Sequence, residues 1–191
     1  FDSKSATKYI GYDPNVISIS TEESWKSSLE NTGINLAPIN DNLIDIVWGT
    51  DKPSPPCEPF IYLNIDFTGK SAKDKIFELR EDMKNKANGA DMSLITALDD
   101  VAWLLNIRGS DISYNPVGIA FVVVTMTETI ICTNVNQVKD EVFDHFEREG
   151  ITVRPYEDFN EVIAELATSI AASRSNNDSN NNEKSKSLPK I

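Results

Sequence analysis

The sequence predicts an α/β protein whose main domain has three layers built around a mixed sheet. Over residues 60–172 the periodicities run α-β-α-β-β-α-β-α, the order expected of helices packed on both faces of a sheet. Two apolar runs, Val117–Met126 and Thr129–Thr133, are separated only by Thr127-Glu128, which reads as a hairpin and so puts antiparallel strands beside the crossovers. Helical stretches stop at Gly89 and Gly150, where a left-handed residue closes a helix without steric cost.

Residues 1–52 read as β-α-β-α. Tyr9–Ile19 is extended and broken at Asp13-Pro14. Ser20 with Glu23 forms a capping box for a helix over Glu22–Asn31, closed by Gly33. Ile34–Ile39 is a strand. Asp41–Trp48 is a short helix with Leu43, Ile44, Val47 and Trp48 on one side. Residues 53–59 are a Pro-rich linker: the stretch Asp51–Pro59 holds four of the nine prolines, and its stiffness suggests a spacer of set reach.

In residues 60–172 the first long helix runs from Ser71 to about Asn88, with Ala72, Ile76, Leu79, Met83 and Ala87 in one stripe and Ser71 with Asp74 as its cap. Met92–Thr96 is a buried strand. Thr96 with Asp99 caps a helix over Asp99–Asn106 that carries Trp103 inward. Asn134 with Gln137 opens a helix whose Val135, Val138, Val142 and Phe146 share a face, Ile151–Arg154 is a strand, and Asp158 with Glu161 caps a last helix. Residues 173–191 hold five Asn between Asn176 and Asn182 and read as a disordered insert or tail. Pro189-Lys-Ile191 resembles the approach to another strand.

Composition excludes several classes. Lys and Arg number 18 against 30 Asp and Glu, a net charge of −12, the opposite of a phosphate-tracking nucleic-acid binder. No apolar run is long enough to span a membrane. Cys57 and Cys132 sit in unlike contexts and read as free thiols of a reducing compartment. The opening residues lack a signal peptide's apolar core, so the expected location is cytoplasmic, and the start at Phe1 suggests an excised or processed product.

Catalytic signatures are sparse. The one histidine, His145, lies among Asp144, Glu147 and Glu149 and reads as a solvated helix-edge residue rather than a metal ligand. Thr68-Gly69-Lys70-Ser71 suggests a phosphate loop, but Asn64 stands where such a loop needs glycine and Asp66 lies inside the cradle. Asp99 and Asp100 fit the first turn of a helix better than acid/base chemistry. The unusual segment is Leu105–Val117: it leaves an apolar helix, crosses polar residues with Gly109 and Pro116, and enters an apolar strand. A loop held between two buried elements suits recognition. Arg108 there either pairs with Asp111 or projects toward a partner's carboxylate.

The run Ile95-Thr-Ala-Leu-Asp-Asp-Val-Ala-Trp-Leu-Leu-Asn-Ile-Arg-Gly-Ser-Asp-Ile-Ser-Tyr-Asn-Pro-Val117 resembles the middle domain of three-domain cytosolic Xaa-Pro aminopeptidases. Ile10-Gly-Tyr-Asp-Pro14, Asn42-Leu-Ile-Asp-Ile-Val-Trp48, Phe67-Thr-Gly-Lys-Ser71 and Lys75-Ile-Phe-Glu-Leu-Arg80 extend the resemblance over about residues 9–167. It implies a creatinase/prolidase N-terminal-like domain over residues 60–172, incomplete, preceded in residues 1–52 by the end of a similar domain. It implies no catalytic or metal-binding residue in this chain. Two divalent ions, usually manganese in the family, would belong to a C-terminal catalytic domain that removes the residue before a proline. The implied partners are that catalytic domain, peptides with proline in second position and a second copy in a homodimer.

The resemblance makes Arg108, and with it Asn106, Asp111 and Asn115, candidates for the substrate entrance. Gly118 stands where the family usually has a large aromatic. A competing reading is a pseudo-peptidase module for basic proteins, as in the large subunit of the FACT histone chaperone. A third is a segment that mainly mediates oligomerisation.

Overall fold

A computed structural model describes residues 7–87 and 89–186, excepting the side chains of 175–186. The chain divides into two compact units, 1–55 and 56–191.

The first unit is a βαβ turn of chain. β1 (Lys8–Tyr12) and β2 (Ile34–Pro38) pair in parallel, with α1 (Ile19–Ser28) as the crossover, and α2 (Leu43–Trp48) follows. The cap of α1 is Ser18 rather than Ser20: its Oγ accepts the Thr21 N–H at 3.1 Å, so the helix starts earlier than the capping-box reading placed it. Asn42 caps α2 and donates to Asp13 Oδ2 at 2.7 Å. No described residue of residues 7–55 is buried, and Leu43, Ile44, Ile46, Val47 and Trp48 are all exposed.

The second unit has the predicted α/β architecture. Its elements are β3 (Ile61–Tyr62), α3 (Ile65–Thr68), α4 (Ala72–Asn85), β4 (Met92–Ile95), α5 (Leu98–Leu104), β5 (Ile107–Arg108), β6 (Ala120–Thr125), β7 (Thr129–Thr133), α6 (Asp140–Glu149), β8 (Thr152–Pro155) and α7 (Phe159–Lys186). The sheet runs β4-β6-β7-β8, with the first two pairings antiparallel and β7–β8 parallel across α6, so it is mixed. Alternation along β6 and β7 sends residues to both faces. Ala120, Val122, Val124 and Ile131 meet Ile76, Val101, Leu104, Val142 and Phe146 of α4, α5 and α6. Val123, Ile130 and Cys132 meet Val162 and Leu166 of α7. These are the three layers, and burial on both faces is why the two strands are apolar throughout.

Arg80 locks the hairpin between β6 and β7. Its Nε donates to the Thr125 carbonyl at 2.7 Å and its Nη2 to the Glu128 carbonyl at 3.0 Å. Cys57 is exposed and Cys132 buried, both as free thiols. Burial pushes the Cys132 thiol above its usual range.

Several local readings change. Thr96 does not cap α5; the N-cap position is Ala97, without a side-chain bond, and Asp99 and Asp100 supply negative charge to the first turn. Trp103 faces outward, 58 % exposed, because Val101, Leu104 and Leu105 take the buried arc. The helix expected from Asn134 is two pieces: a 3-10 turn at Val135–Gln137, then α6 after a break at Val138 in extended geometry. The cap expected at Asp158 is instead an ion pair with Arg154 at 3.2 Å. α7 continues through the Asn-rich stretch to Lys186, where the sequence reads as disordered; no Gly or Pro interrupts it there. Asn88 and Pro189–Ile191 lie outside the described residues.

His145 is buried, not a solvated helix-edge residue. Val142, His145 and Phe146 share the inner face of α6, and the imidazole stacks on Tyr62 at 4.2 Å between ring centroids. Its Nε2–H donates to the Leu105 carbonyl at 2.8 Å, while Nδ1 has no partner. Burial therefore holds the imidazole below its ordinary value of 6.5 and neutral, the Leu105 bond opposing this in part. As pH falls below 6.5 the unfolded chain takes up a proton that the folded chain refuses, so stability is lost on that side. Urea unfolding at pH 7.5 and 5.5 should show a smaller loss for His145→Gln than for the parent; equal losses would remove His145 as the cause.

Candidate functional site

The loop from Arg108 to Gly118 is held at its root by a buried cation. Lys75 lies on the same arc of α4 as Ala72, Ile76 and Leu79, which carries its side chain inward. Its ammonium donates to the Trp103 carbonyl at 2.6 Å and to Asn106 Oδ1 at 2.7 Å, and lies 4.4 Å from the Trp103 ring centre. Burial depresses the Lys75 ammonium, and the nearby cations Arg108 and Lys70 add to the effect. Its polar partners are a carbonyl and an amide.

Asn106 is the turning point between α5 and β5. Its φ is 56°, a conformation that Asn tolerates better than most residues. The side chain is fully engaged, since Nδ2 also donates to the Lys70 carbonyl at 2.8 Å, and the Asn106 carbonyl accepts the Leu63 N–H at 2.9 Å.

Arg108 does not pair with Asp111. Its Nη1 donates to the carbonyls of Ala102 at 3.0 Å and Ile107 at 2.7 Å, at the C-terminal end of α5 where a cation is favoured. Among the described residues, Nε and Nη2 have no partner. In the antiparallel pair β3–β5, Arg108 stands opposite Ile61, so a half-buried cation and an exposed apolar residue share one face.

Asp111 belongs to a second anchor. Both its carboxylate oxygens accept from Gln137 Nε2 at 2.9 Å, and Oδ2 also accepts the Ile119 N–H at 2.7 Å. Gln137, 1 % exposed, donates to the Glu58 carbonyl at 2.8 Å, and its own carbonyl accepts the Phe60 N–H at 2.9 Å. One buried amide thus ties the end of the proline-rich stretch to the loop. Asn115 is exposed, with its backbone N–H donating to the Ile112 carbonyl at 3.1 Å.

Of the four entrance candidates, Asn106 and Asp111 are spent inside the fold, and Arg108 and Asn115 keep free polar groups. Sequence reading missed Lys75, a polar residue on the arc of α4 where the apolar spacing demands burial, and Gln137, which no spacing singles out. It also missed Tyr114, whose positive φ of 64° no composition signal announces.

The phosphate-loop reading finds no support. Ser71 Oγ takes the Asp74 N–H at 3.0 Å and Glu149 Oε2 takes the Lys73 N–H at 2.6 Å, so acids of the protein fill the start of α4. Among the described residues, no group of three or more His, Cys, Asp and Glu could hold a metal ion. Among the same residues no helix is long and apolar enough to cross a membrane.

The second unit is thus a mixed three-layer α/β domain whose loop after α5 is anchored by a buried cation. The creatinase/prolidase N-terminal domain matches residues 51–188, and the chain belongs to that family. A Laccaria bicolor protein described as "Probable Xaa-Pro aminopeptidase P" is 39% identical over 165 residues, covering 86% of this chain and 25% of that protein. One from Sordaria macrospora with the same description is 33% identical over 176 residues, 90% of this chain and 28% of its own. The crystal structure of the X-prolyl aminopeptidase from Caenorhabditis elegans, described as a cytosolic enzyme with a di-nuclear active site, superposes with a TM-score of 0.76 at 32% identity. It covers 87% of this chain and 26% of that one. The chain therefore spans about a quarter of the length of the relatives it matches.

Two glycines let the loop close on itself. A Cβ on Gly109 would lie 2.7 Å from the Gly118 nitrogen, and one on Gly118 would lie 2.1 Å from Phe60 Cε1. The Phe60 ring thus fills the space that an aromatic side chain at 118 would seek. Gly109→Ala should destabilise the protein by about 1–3 kcal/mol in urea unfolding, since backbone cannot move aside. Gly118→Ala should cost a similar amount and be partly rescued by Phe60→Leu; additive losses would show that the ring is not the obstacle.

Proposed function

We propose that this chain is a noncatalytic region of a Xaa-Pro aminopeptidase, and that its Arg108–Gly118 loop borders the entrance through which peptide reaches the catalytic domain of the same polypeptide. Residues 1–52 are the closing part of a first creatinase-like domain, whose other strands would cover the exposed apolar residues of β1 and α2. Residues 53–59 link it to the second such domain over 60–172. The observation that carries the reading is the loop itself: it is anchored by Lys75 and by Gln137 at opposite ends, yet leaves two guanidinium nitrogens of Arg108 free.

Hydrolysis belongs to the catalytic domain, where two divalent ions, manganese by resemblance, would activate water for attack on the bond before proline. This chain's residues hold and orient. Arg108 offers a planar pair of donors to a carboxylate or carbonyl of the incoming peptide, and Asn115 offers an exposed neutral amide on the same loop. A cytosolic location and a homodimer in which this domain takes part belong to the same proposal. The similarity to named peptidases over most of the chain favours this reading over a module for basic proteins.

In the full-length enzyme Arg108→Ala should lower kcat/KM for an Xaa-Pro peptide by about tenfold, mainly through KM, with Arg108→Lys intermediate. Unchanged kcat/KM in both variants would remove Arg108 from the entrance.

A further inference from the structure

The tip of the loop presents an aromatic residue under two simultaneous penalties. Ile112–Asn115 is a tight turn closed by the Asn115 N–H to the Ile112 carbonyl, and Tyr114 is its third residue. There Tyr114 takes φ 64°, a region that suits Gly or Asn and costs a bulky residue about 1–3 kcal/mol. Its side chain is also fully exposed, at 108 %, so no packing among the described residues offsets the strain. The turn is nonetheless fixed, because Asp111 just before it is held by Gln137 and by the Ile119 N–H, while Gly109 and Asp111 bond to the carbonyls of Pro116 and Val117 across its neck.

The surroundings of Tyr114 say what it meets. Ser110, Ser113, Asn115 and Pro116 are exposed, Ile112 at the start of the turn is exposed as well, and Asp111 is half-buried. One aromatic ring among short polar residues is the composition of loops that bind peptides and flexible epitopes: a rigid amphipathic ring supplies area, Ser110, Ser113 and Asn115 supply hydrogen bonds, and Ile112 adds a little apolar surface beside it. Proline-containing peptides suit such a ring, because the stiff, donor-free pyrrolidine packs flat on an aromatic face at little entropic cost.

We propose that Tyr114 is a substrate-contact residue whose ring packs against the proline-containing peptide at the entrance. The inference rests on the entrance reading above and adds to it a residue and a mode of recognition. Tyr114 takes no part in bond cleavage; it binds ground state and transition state alike, so its loss acts on KM and leaves kcat in place.

The test compares Tyr114→Asn and Tyr114→Phe with the parent full-length enzyme, using Ala-Pro, Ala-Pro-Ala and a longer peptide beginning Ala-Pro. Tyr114→Asn relieves the strained φ, so thermal stability should hold or rise while KM increases about three- to tenfold. Tyr114→Phe keeps the ring and should stay within about twofold of the parent. Parent-like KM in Tyr114→Asn overturns the proposal while leaving the peptidase reading intact. A fall in kcat together with a lower Tm also overturns it, and assigns Tyr114 to a contact between domains. Failure of the parent enzyme to cleave any of the three peptides overturns the peptidase reading itself, and this inference with it.

Discussion

The placement of one ammonium group governs the working end of this domain. Lys75 leaves α4 on its buried arc and reaches the C-terminal end of α5, where the Trp103 carbonyl and the dipole of the helix both favour a positive charge. By also bonding Asn106 it fixes the residue at which the chain turns out of α5, and thereby the direction in which β5 and the following loop emerge. Arg108 then caps another carbonyl of the same helix end. Two cations at one helix terminus repel, and depression of the Lys75 ammonium records that repulsion beside the cost of burial. The arrangement persists because each cation has a backbone carbonyl or amide oxygen to bond at the end of the helix.

Much of the fold was legible because its signals are periodic. The apolar runs of β6 and β7, the stripe of α4 and the terminal glycines are repeated patterns, and each names its element without reference to partners. What stayed hidden depends on a partner. Ser18 and Ser20 are equally good caps by type, and only the path of the chain after Asp13-Pro14 selects Ser18. Trp103 reads as core on hydrophobicity, but α5 is only seven residues long and its buried arc was already filled. His145 reads as solvent-facing from its charged neighbours, whereas the spacing from Val142 to Phe146 puts it on the buried side.

The candidate site shows the same division at finer grain. Gly109, Pro116 and the polar run between two apolar elements marked a constrained loop, and the loop is constrained. Its anchors were invisible because they come from far along the chain: Gln137 follows β7, and Glu58 ends the proline-rich stretch. Gln137 does here what backbone pairing does elsewhere, giving buried carbonyl, carboxylate and amide groups a common partner. Glycine at 118 is explained in the same way, since Phe60, brought in by the Gln137 carbonyl, occupies the volume a side chain there would need from another part of the sequence.

In the entrance role proposed above, rigidity of this kind is what the domain would supply. A flexible loop at an entrance would lose conformational freedom with each peptide bound, and that loss would be subtracted from affinity. Here the ordering cost is met during folding, from the packing of α4, α5 and α6 on the sheet, and the loop is presented already in one shape. The polar anchors matter for that reason more than for net stability: each buried bond to Asp111, Asn106 or Lys75 replaces one to water and adds little by itself. What they add is exclusion of other conformations, because any alternative path for residues 108–118 leaves a buried charge or amide without a partner. On the proposed reading, rigid presentation of free donors on Arg108 and of an exposed ring on Tyr114 is the physical contribution of this domain.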